Sequence, residues 1–322
     1  MLGAGAWGTA LAFTAANAGR VVNLWALEPE VVDSIDRKRQ NARFLPGVTL
    51  PSAISVSGDV AAAAASDMVL LVVPAQFLRA TLLKVAPLLL PATPIVLCAK
   101  GIERNTGMLL TEVLAEIVPT AEPAILSGPS FARDVALGLP TAVTIAARLA
   151  IAERLQATLA HAQFRPYASD DLTGVALGGA AKNVYAIGCG VSDGLGLGES
   201  ARAALLARSF AELRRLGEAM GARSETLMGL AGLGDLVLTA SSPSSRNFAF
   251  GRKLGQGVPL ARLRAAGGPL AEGVDTAPAL VSRARRHGVE LPIAEAVAAV
   301  LEGSLAPGAA LARLMRRPVR GE

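Results

Sequence analysis

Few side chains in this chain can move a proton, and that scarcity narrows the search. Arginine supplies most of the positive charge, and the lysines are Lys38, Lys84, Lys100, Lys182 and Lys253. A chain that otherwise uses arginine keeps lysine where a compact head or a tunable pKa matters. Lys182 stands in Leu177-Gly178-Gly179-Ala180-Ala181-Lys182-Asn183, an apolar helical stretch. Gly178 and Gly179 fall on its face, four and three residues earlier, and are expected to leave room beside it for cofactor or substrate. Apolar surroundings disfavour the ammonium form and bring a lysine towards general-base duty near neutral pH. The competing reading is a lysine that runs along a helix edge with its head in water. His161 and His287 sit in no constellation, so the usual proton carrier is not expected to act.

Two further segments could work with such a lysine. Gly232-Leu233-Gly234-Asp235-Leu236 places a carboxylate in a glycine-rich bend. Ser241-Ser242-Pro243-Ser244-Ser245-Arg246-Asn247 then leads into a helical stretch. Hydroxyls, helix N–H groups, a guanidinium and an amide together make a phosphate site. The plainer reading is a polar loop with a helix N-cap.

Near the start, Gly3-Ala4-Gly5-Ala6-Trp7-Gly8 fits G-x-G-x-x-G, and the apolar run from Thr9 to Phe13 can begin a helix. Glycines so spaced allow a tight turn, backbone approach to a pyrophosphate and close helix–strand packing. Glu28, 20 positions after Gly8, can accept hydrogen bonds from ribose hydroxyls, or simply start a helix beside Pro29. Leu27 offers no charge for a 2′-phosphate, while Arg37 and Arg39 are within plausible reach. NAD is favoured over NADP. Gly273 beside Glu272 is a weaker candidate for a turn near the cofactor.

These groups need a scaffold. The chain has 322 residues, room for about two domains. Val21–Ala26, Met68–Val73, Ile95–Ala99, Ala124–Leu126 and Ala142–Ala146 are apolar runs between helical stretches, the pattern of a parallel α/β sheet. Three runs end in Pro74-Ala75-Gln76, in Lys100-Gly101 and in Ser127-Gly128-Pro129-Ser130. Ligands bind at the carboxyl ends of such strands, so these turns and the glycine turn should line one crevice. The polar stretch 165–174 is expected to separate a dinucleotide-binding domain, 1–170, from a helical domain, 171–322. Leu205–Met220, Ala277–His287 and Ile293–Leu301 are its clearer helices.

Composition removes other classes. No apolar run approaches the ~20 residues of a membrane span, so no membrane insertion is expected. No basic segment followed by an apolar one opens the chain, so a cytoplasmic location is expected. Cys98 and Cys189 are too few and too far apart for a disulfide framework or a zinc site. The net charge of +5 lacks the clustered basic and aromatic residues of a nucleic-acid binder. Arg283, Arg285 and Arg286, and likewise Arg313, Arg316 and Arg317, read as solvated helix faces.

Taken in order, GAGAWGTALA (3–12), AKGIE (99–103), SGPSFA (127–132), GGAAKNVYAIG (178–188), GLGDLVLT (232–239), SRN (245–247) and AEGVDTA (271–277) make a specific set. The chain resembles the soluble, prokaryotic-type NAD(P)-dependent glycerol-3-phosphate dehydrogenases over nearly its whole length. The resemblance implies a doubly wound Rossmann-type α/β domain followed by an all-α domain, a homodimer, and a role in supplying glycerol 3-phosphate for phospholipid synthesis. It implies that Lys182 is the proton acceptor and Asp235 its partner. Lys100, Gly128, Ser130, Ser245, Arg246 and Asn247 fall at substrate positions. Trp7, Lys100, Ala132, Arg246, Leu270 and Glu272 fall at cofactor positions, beside Gly3, Gly5, Gly8 and Glu28.

Three departures accompany the resemblance. Only Met1 and Leu2 precede the glycine turn where relatives have a full strand, and residues upstream of Met1 are therefore expected. Leu27 stands where bacterial relatives commonly carry a basic residue, and Ala176 and Ala181 replace larger residues, so the Lys182 helix is expected to be repacked. Alternatives are a related two-domain hydroxy-acid dehydrogenase, such as a ketopantoate reductase, and a non-catalytic nucleotide-sensing module. The Ser-Arg-Asn segment favours phosphate over carboxylate, and retention of Lys182 with Asp235 argues against a silent module.

Overall fold

A computed structural model describes residues 1–265 and 271–318. Two compact units emerge: Met1–Ala99 with Met108–Ala176, and Lys100–Gly107 with Leu177–Glu322. The eight residues from Lys100 to Gly107 thus belong with the second unit, although both flanking segments belong to the first.

The first unit is α/β. Its strands are β1 (Val22–Trp25), β2 (Ile54–Ser57), β3 (Val69–Leu71), β4 (Pro94–Leu97), β5 (Glu122–Ser127), β6 (Thr141–Ala146) and β7 (Phe164–Ser169). β1 pairs with β2, and β3 to β7 follow one another in order. Leu2 joins the two sets, bridging in parallel to Trp25 on one side and Leu71 on the other. Its N–H donates to the Leu70 carbonyl at 2.8 Å, and its carbonyl accepts from Val72 at 2.8 Å. Towards β1, the Met1 carbonyl accepts from the Trp25 N–H at 2.9 Å and the Gly3 N–H donates to the Trp25 carbonyl at 3.2 Å, so Met1 to Gly3 do the pairing of a central strand. The strands β3 and β4 are wholly buried, which explains their unbroken apolar sequence.

The sheet is not parallel throughout, because β6 runs antiparallel to β5. The only helix between them, Ala132–Ala136, has five residues. That is about 7.5 Å of rise, too little to return the chain along a strand of about 20 Å. Strand β7 occupies much of the stretch expected to be a polar boundary. It is an edge strand on which Phe164 and Pro166 are buried while Arg165 and Tyr167 are exposed. A proline is tolerated at an edge, where no neighbour needs its N–H. β2, with two serines in four residues, is the other strand that composition concealed.

The second unit is helical among its described residues. Its axis is the part of the helix Leu172–Gly194 that begins at Leu177, which is buried on every side as far as Gly190. A helix apolar all round must be enclosed by other helices. Gly198–Ala219, Arg246–Gly255, Glu272–Arg286, Pro292–Glu302 and Pro307–Met315 are the longer ones around it. Among the described residues, no helix is long and apolar enough to cross a membrane, and no cluster of acidic, histidine and cysteine side chains is arranged to hold a metal.

Candidate active site

In the first unit, the glycine turn is built as its spacing requires. Gly3 has φ +113°, and a Cβ there would lie 2.9 Å from the Val72 carbonyl oxygen. A Cβ on Gly8 would collide with the Gly3 carbonyl, so this position fixes the close approach of helix to turn. Gly5 faces open space and is the N-cap of the helix Ala6–Asn17, with no side chain capping it. Free N–H groups at a helix start beside an open glycine fit a pyrophosphate. The half-buried Trp7 keeps its indole N–H without a hydrogen-bond partner among the described residues.

Asn41, which the sequence reading passed over, holds this turn. Its buried amide donates to the Ala4 carbonyl at 2.7 Å and to Thr9 Oγ1 at 2.8 Å. Nothing in its local sequence marked it. Glu28 is half-buried and is the N-cap residue of the helix Pro29–Lys38, with no side-chain cap bond. Leu27 is 72% exposed. Arg39 donates to the carbonyls of Leu50, Pro51 and Ile54, and Arg37 pairs with Asp33 at 2.6 Å. Both arginines are thus engaged with the protein. After β5, Gly128 has φ +143°, and a Cβ there would lie 2.9 Å from Val143 Cα. Ser130 Oγ donates to the Gly128 carbonyl at 3.0 Å, and Ala132 opens the short helix that follows.

The second unit brings Lys100, Lys182 and Asp235 together. Lys182 Nζ donates to Asp235 Oδ1 at 2.7 Å, and Lys100 Nζ donates to Asp235 Oδ2 at 2.6 Å. One carboxylate therefore serves two ammonium groups, one on each oxygen. Lys182 also donates to Thr239 Oγ1 at 2.8 Å, and that hydroxyl donates to Asp235 Oδ1 at 3.2 Å. Thr239 was not among the expected site residues; its place one turn after Asp235 in the helix Asp235–Ser241 was the available signal. A π-helical turn, Leu230–Gly234, immediately precedes Asp235.

Burial sets the electrostatics. It lowers the Lys182 pKa to about 8; Asp235 opposes this, while Lys100 and Arg246 add to the depression. For Asp235, burial alone would raise the pKa, but Lys100 and Lys182 reverse the sign and hold it below the ordinary carboxylate value. The two directions agree: the carboxylate stays charged, and the lysine is poised to lose its proton.

A chain of amide hydrogen bonds fixes the surroundings. The Gly273 N–H donates to Asn247 Oδ1 at 3.0 Å, Asn247 Nδ2 to Asn183 Oδ1 at 2.8 Å, and Asn183 Nδ2 to the Lys100 carbonyl at 2.8 Å. Ser245 caps the helix Arg246–Gly255 by accepting from the Phe248 N–H at 3.2 Å. Arg246 is exposed and forms no hydrogen bond or ion pair with the described residues, although its charge reaches Lys182. Glu272 begins the helix Glu272–Arg286. Leu270 lies outside the described residues.

The glycines of the Lys182 helix require a correction. Gly178 does not leave room for a ligand: a Cβ there would lie 2.6 Å from the Ala231 carbonyl. The space is filled by the turn that leads into Asp235, so this glycine sets the distance between the helix and that turn. Gly190 and Gly194 likewise abut the backbone of the helix Arg246–Gly255, and Gly251 and Gly255 return the contact. Two small residues four apart on each helix let the backbones touch. The basic residues Arg283 and Arg286 are a second correction. They donate to the Gly107 carbonyl at 2.9 and 3.2 Å, and Arg283 is buried.

Comparison with known proteins gives a consistent result. Residues 1–151 match the profile of the NAD-dependent glycerol-3-phosphate dehydrogenase N-terminus, and residues 171–312 that of the C-terminus. A glycerol-3-phosphate dehydrogenase [NAD(P)+] of Parvibaculum lavamentivorans is 54% identical, with all of this chain and 97% of that protein covered. One from Bradyrhizobium sp. (strain BTAi1) is 57% identical with the same coverage. The crystal structure of glycerol-3-phosphate dehydrogenase from Coxiella burnetii superposes with a TM-score of 0.93 at 39% identity, covering 98% of each chain. A ketopantoate reductase from Ralstonia eutropha reaches a TM-score of 0.62 at 17% identity, covering 94% of this chain and 97% of that one, which is a likeness of fold alone.

Proposed function

Because the chain belongs to the NAD-dependent glycerol-3-phosphate dehydrogenase family, we propose that it interconverts sn-glycerol 3-phosphate and dihydroxyacetone phosphate, with NAD preferred and NADP the second option. The observation that carries the reading is a buried lysine with its pKa lowered to about 8, oriented by a carboxylate and a hydroxyl. The nicotinamide, when bound, supplies or accepts hydride at its C4. Lys182 moves the proton. In reduction its ammonium donates to the ketone oxygen as negative charge grows there; in oxidation the neutral amine takes the hydroxyl proton.

An ammonium has three N–H bonds. Asp235 and Thr239 take two of them, and the third is left for the substrate oxygen. Lys100 adds positive charge near the same oxygen and keeps Asp235 ionised. Arg246, at an exposed helix start, grips the phosphate, with the Ser245 hydroxyl and the Asn247 amide contributing further contacts, while Gly128 and Ser130 are the first unit's own substrate candidates. This grip spends binding energy on orientation. The residues present fit a dinucleotide: Gly3, Gly5 and Gly8 would hold its pyrophosphate, and Glu28 its ribose hydroxyls. Trp7 and Ala132 in the first unit, and Lys100, Arg246 and Glu272 in the second, stand at the further cofactor positions that the family resemblance implies. Leu27 carries no charge and Arg39 is committed to backbone carbonyls, which supports NAD over NADP. The proposal extends to a cytoplasmic homodimer that feeds phospholipid synthesis.

The direct test follows NADH and NADPH absorbance on addition of dihydroxyacetone phosphate. Oxidation of NADH faster than NADPH is expected; oxidation of neither would sink the reading. A panel with hydroxy-acid precursors separates it from the ketopantoate alternative.

A further inference from the structure

The segment from Lys100 to Gly107 is fastened to the second unit at both ends. At its start, the Lys100 carbonyl accepts from Asn183 and the Lys100 ammonium meets Asp235. At its end, the Gly107 carbonyl accepts from both Arg283 and Arg286. Between them, Arg104 pairs with Asp275 at 3.0 Å. Inside the segment, Thr106 Oγ1 donates to Glu103 at 2.5 Å, and the Gly107 N–H donates to the Glu103 carbonyl at 2.8 Å, which closes a compact turn. Ile102 is fully buried beneath it.

Asp275, Arg283 and Arg286 all belong to the helix Glu272–Arg286. Positions i, i+8 and i+11 share a helical face and span about 16 Å. The same helix reaches the other end of the segment indirectly, since its Gly273 N–H begins the asparagine relay that ends on the Lys100 carbonyl. One helix therefore splints the whole segment that carries Lys100. The charged groups closest in influence to Lys182 are Asp235, Lys100 and Arg246, so displacement of Lys100 would remove a like charge from beside the proton carrier.

We propose that Arg283, through the Gly107 carbonyl, is a positioning residue that holds Lys100 in register with Lys182 and Asp235, with Arg286 as its weaker second. The inference rests on the dehydrogenase reading above. Arg283 is buried where Arg286 is exposed, so Arg283 should carry the larger share. A misplacement of the order of an ångström at a reacting centre costs up to about a hundredfold in rate. A loosened rather than lost Lys100 should cost about tenfold.

The test compares Arg283→Met, Arg283→Lys and Arg286→Met with the unaltered enzyme, each also in a Lys100→Ala background. Thermal melting and NADH binding by fluorescence report folding and the cofactor site. Arg283→Met is expected to lose about tenfold in kcat with NADH affinity retained, and Arg286→Met about twofold. The pH midpoint of glycerol 3-phosphate oxidation should move alkaline in Arg283→Met, because Lys182 loses the repulsion of Lys100. Arg283→Lys, which keeps a donor for Gly107, should recover most of the rate. In the Lys100→Ala background the Arg283 substitution should add nothing further. Folded Arg283→Met with unchanged kcat and midpoint would overturn the proposal, as would an undiminished effect in the Lys100→Ala background. If Arg283→Met does not fold, the same comparison on Arg286→Met and Arg283→Lys decides. Absence of turnover in the unaltered enzyme would instead count against the dehydrogenase reading itself.

Discussion

Two buried carboxylates in the second unit face the same problem and solve it differently. Asp235 is 1% exposed and Glu212 is 3% exposed. Asp235 has an ammonium on each oxygen, and its pKa is lowered despite burial. Glu212 accepts backbone N–H groups from Ile293 at 2.7 Å and Ala294 at 3.3 Å, at the start of the helix Pro292–Glu302. Burial dominates there and raises its pKa to about 7, against the opposing pull of those N–H groups, Arg215 and Tyr185. Backbone dipoles are thus insufficient to keep this carboxylate fully ionised, whereas two full charges suffice for Asp235. The first arrangement serves a proton carrier, which needs a permanent negative charge beside it. The second serves a helix end, which needs acceptors and tolerates a proton.

The largest effect should come from removing the proton carrier. Lys182→Ala is expected to lose about a thousandfold in turnover, while NADH affinity, measured by fluorescence, stays near its normal value. Undiminished turnover would remove Lys182 from the mechanism. Asp235→Asn should follow, with a loss of about a hundredfold. It leaves the buried Lys182 and the half-buried Lys100 ammonium groups without their counter-charge, so stability should fall as well. Since Asp235 normally raises the Lys182 pKa, its loss should drive the midpoint of glycerol 3-phosphate oxidation below the unaltered value of about 8. In that unaltered profile, oxidation should rise through pH about 8 as the amine becomes neutral, and reduction should fall over the same range. A midpoint unmoved by Asp235→Asn would break the contrast drawn between the two carboxylates.

What could be read from the residues follows the range over which each feature is decided. The glycine turn, the runs that become β1 and β3 to β6, and the pairing of Lys182 with Asp235 are carried by local patterns or ordered motifs. The edge strands β2 and β7 were hidden because a half-exposed strand admits serine, arginine and proline. The antiparallel β6 was hidden because strand direction depends on how far a connection can travel. Gly178 was misread because helix spacing alone cannot tell an empty groove from one filled by another backbone. Arg283 was misread for a related reason: its partner carbonyl lies 176 residues away in sequence. Asn41 acts only through partners that the fold brings near, and a common residue type carries no mark of that; Thr239 was marked only by its place one turn after Asp235, since its other partner, Lys182, is distant in sequence.

The smallest expected effect tests the other carboxylate. Glu212→Gln should leave kcat unchanged, since Glu212 meets helix N–H groups and the Tyr185 phenol rather than Lys182, Asp235 or Thr239. Its signature is in stability. The Glu212 pKa rises from the ordinary 4.5 to about 7 on folding, so the folded state binds this proton more tightly than the unfolded chain. The stabilisation from that proton is complete below pH about 4.5 and is lost as pH rises through about 7. Denaturant unfolding of the unaltered protein should therefore weaken between pH 5 and 8 relative to Glu212→Gln, by about 3 kcal/mol if the full shift is expressed. Tyr185 and Arg215 face the same carboxylate; burial pushes the Tyr185 phenol well above its ordinary value, so it stays neutral across this window and the differential slope belongs to Glu212. Parallel stability profiles for the two proteins would mean that the helix N–H groups hold this carboxylate ionised after all, and the distinction between charge and dipole compensation would fail at its weaker end.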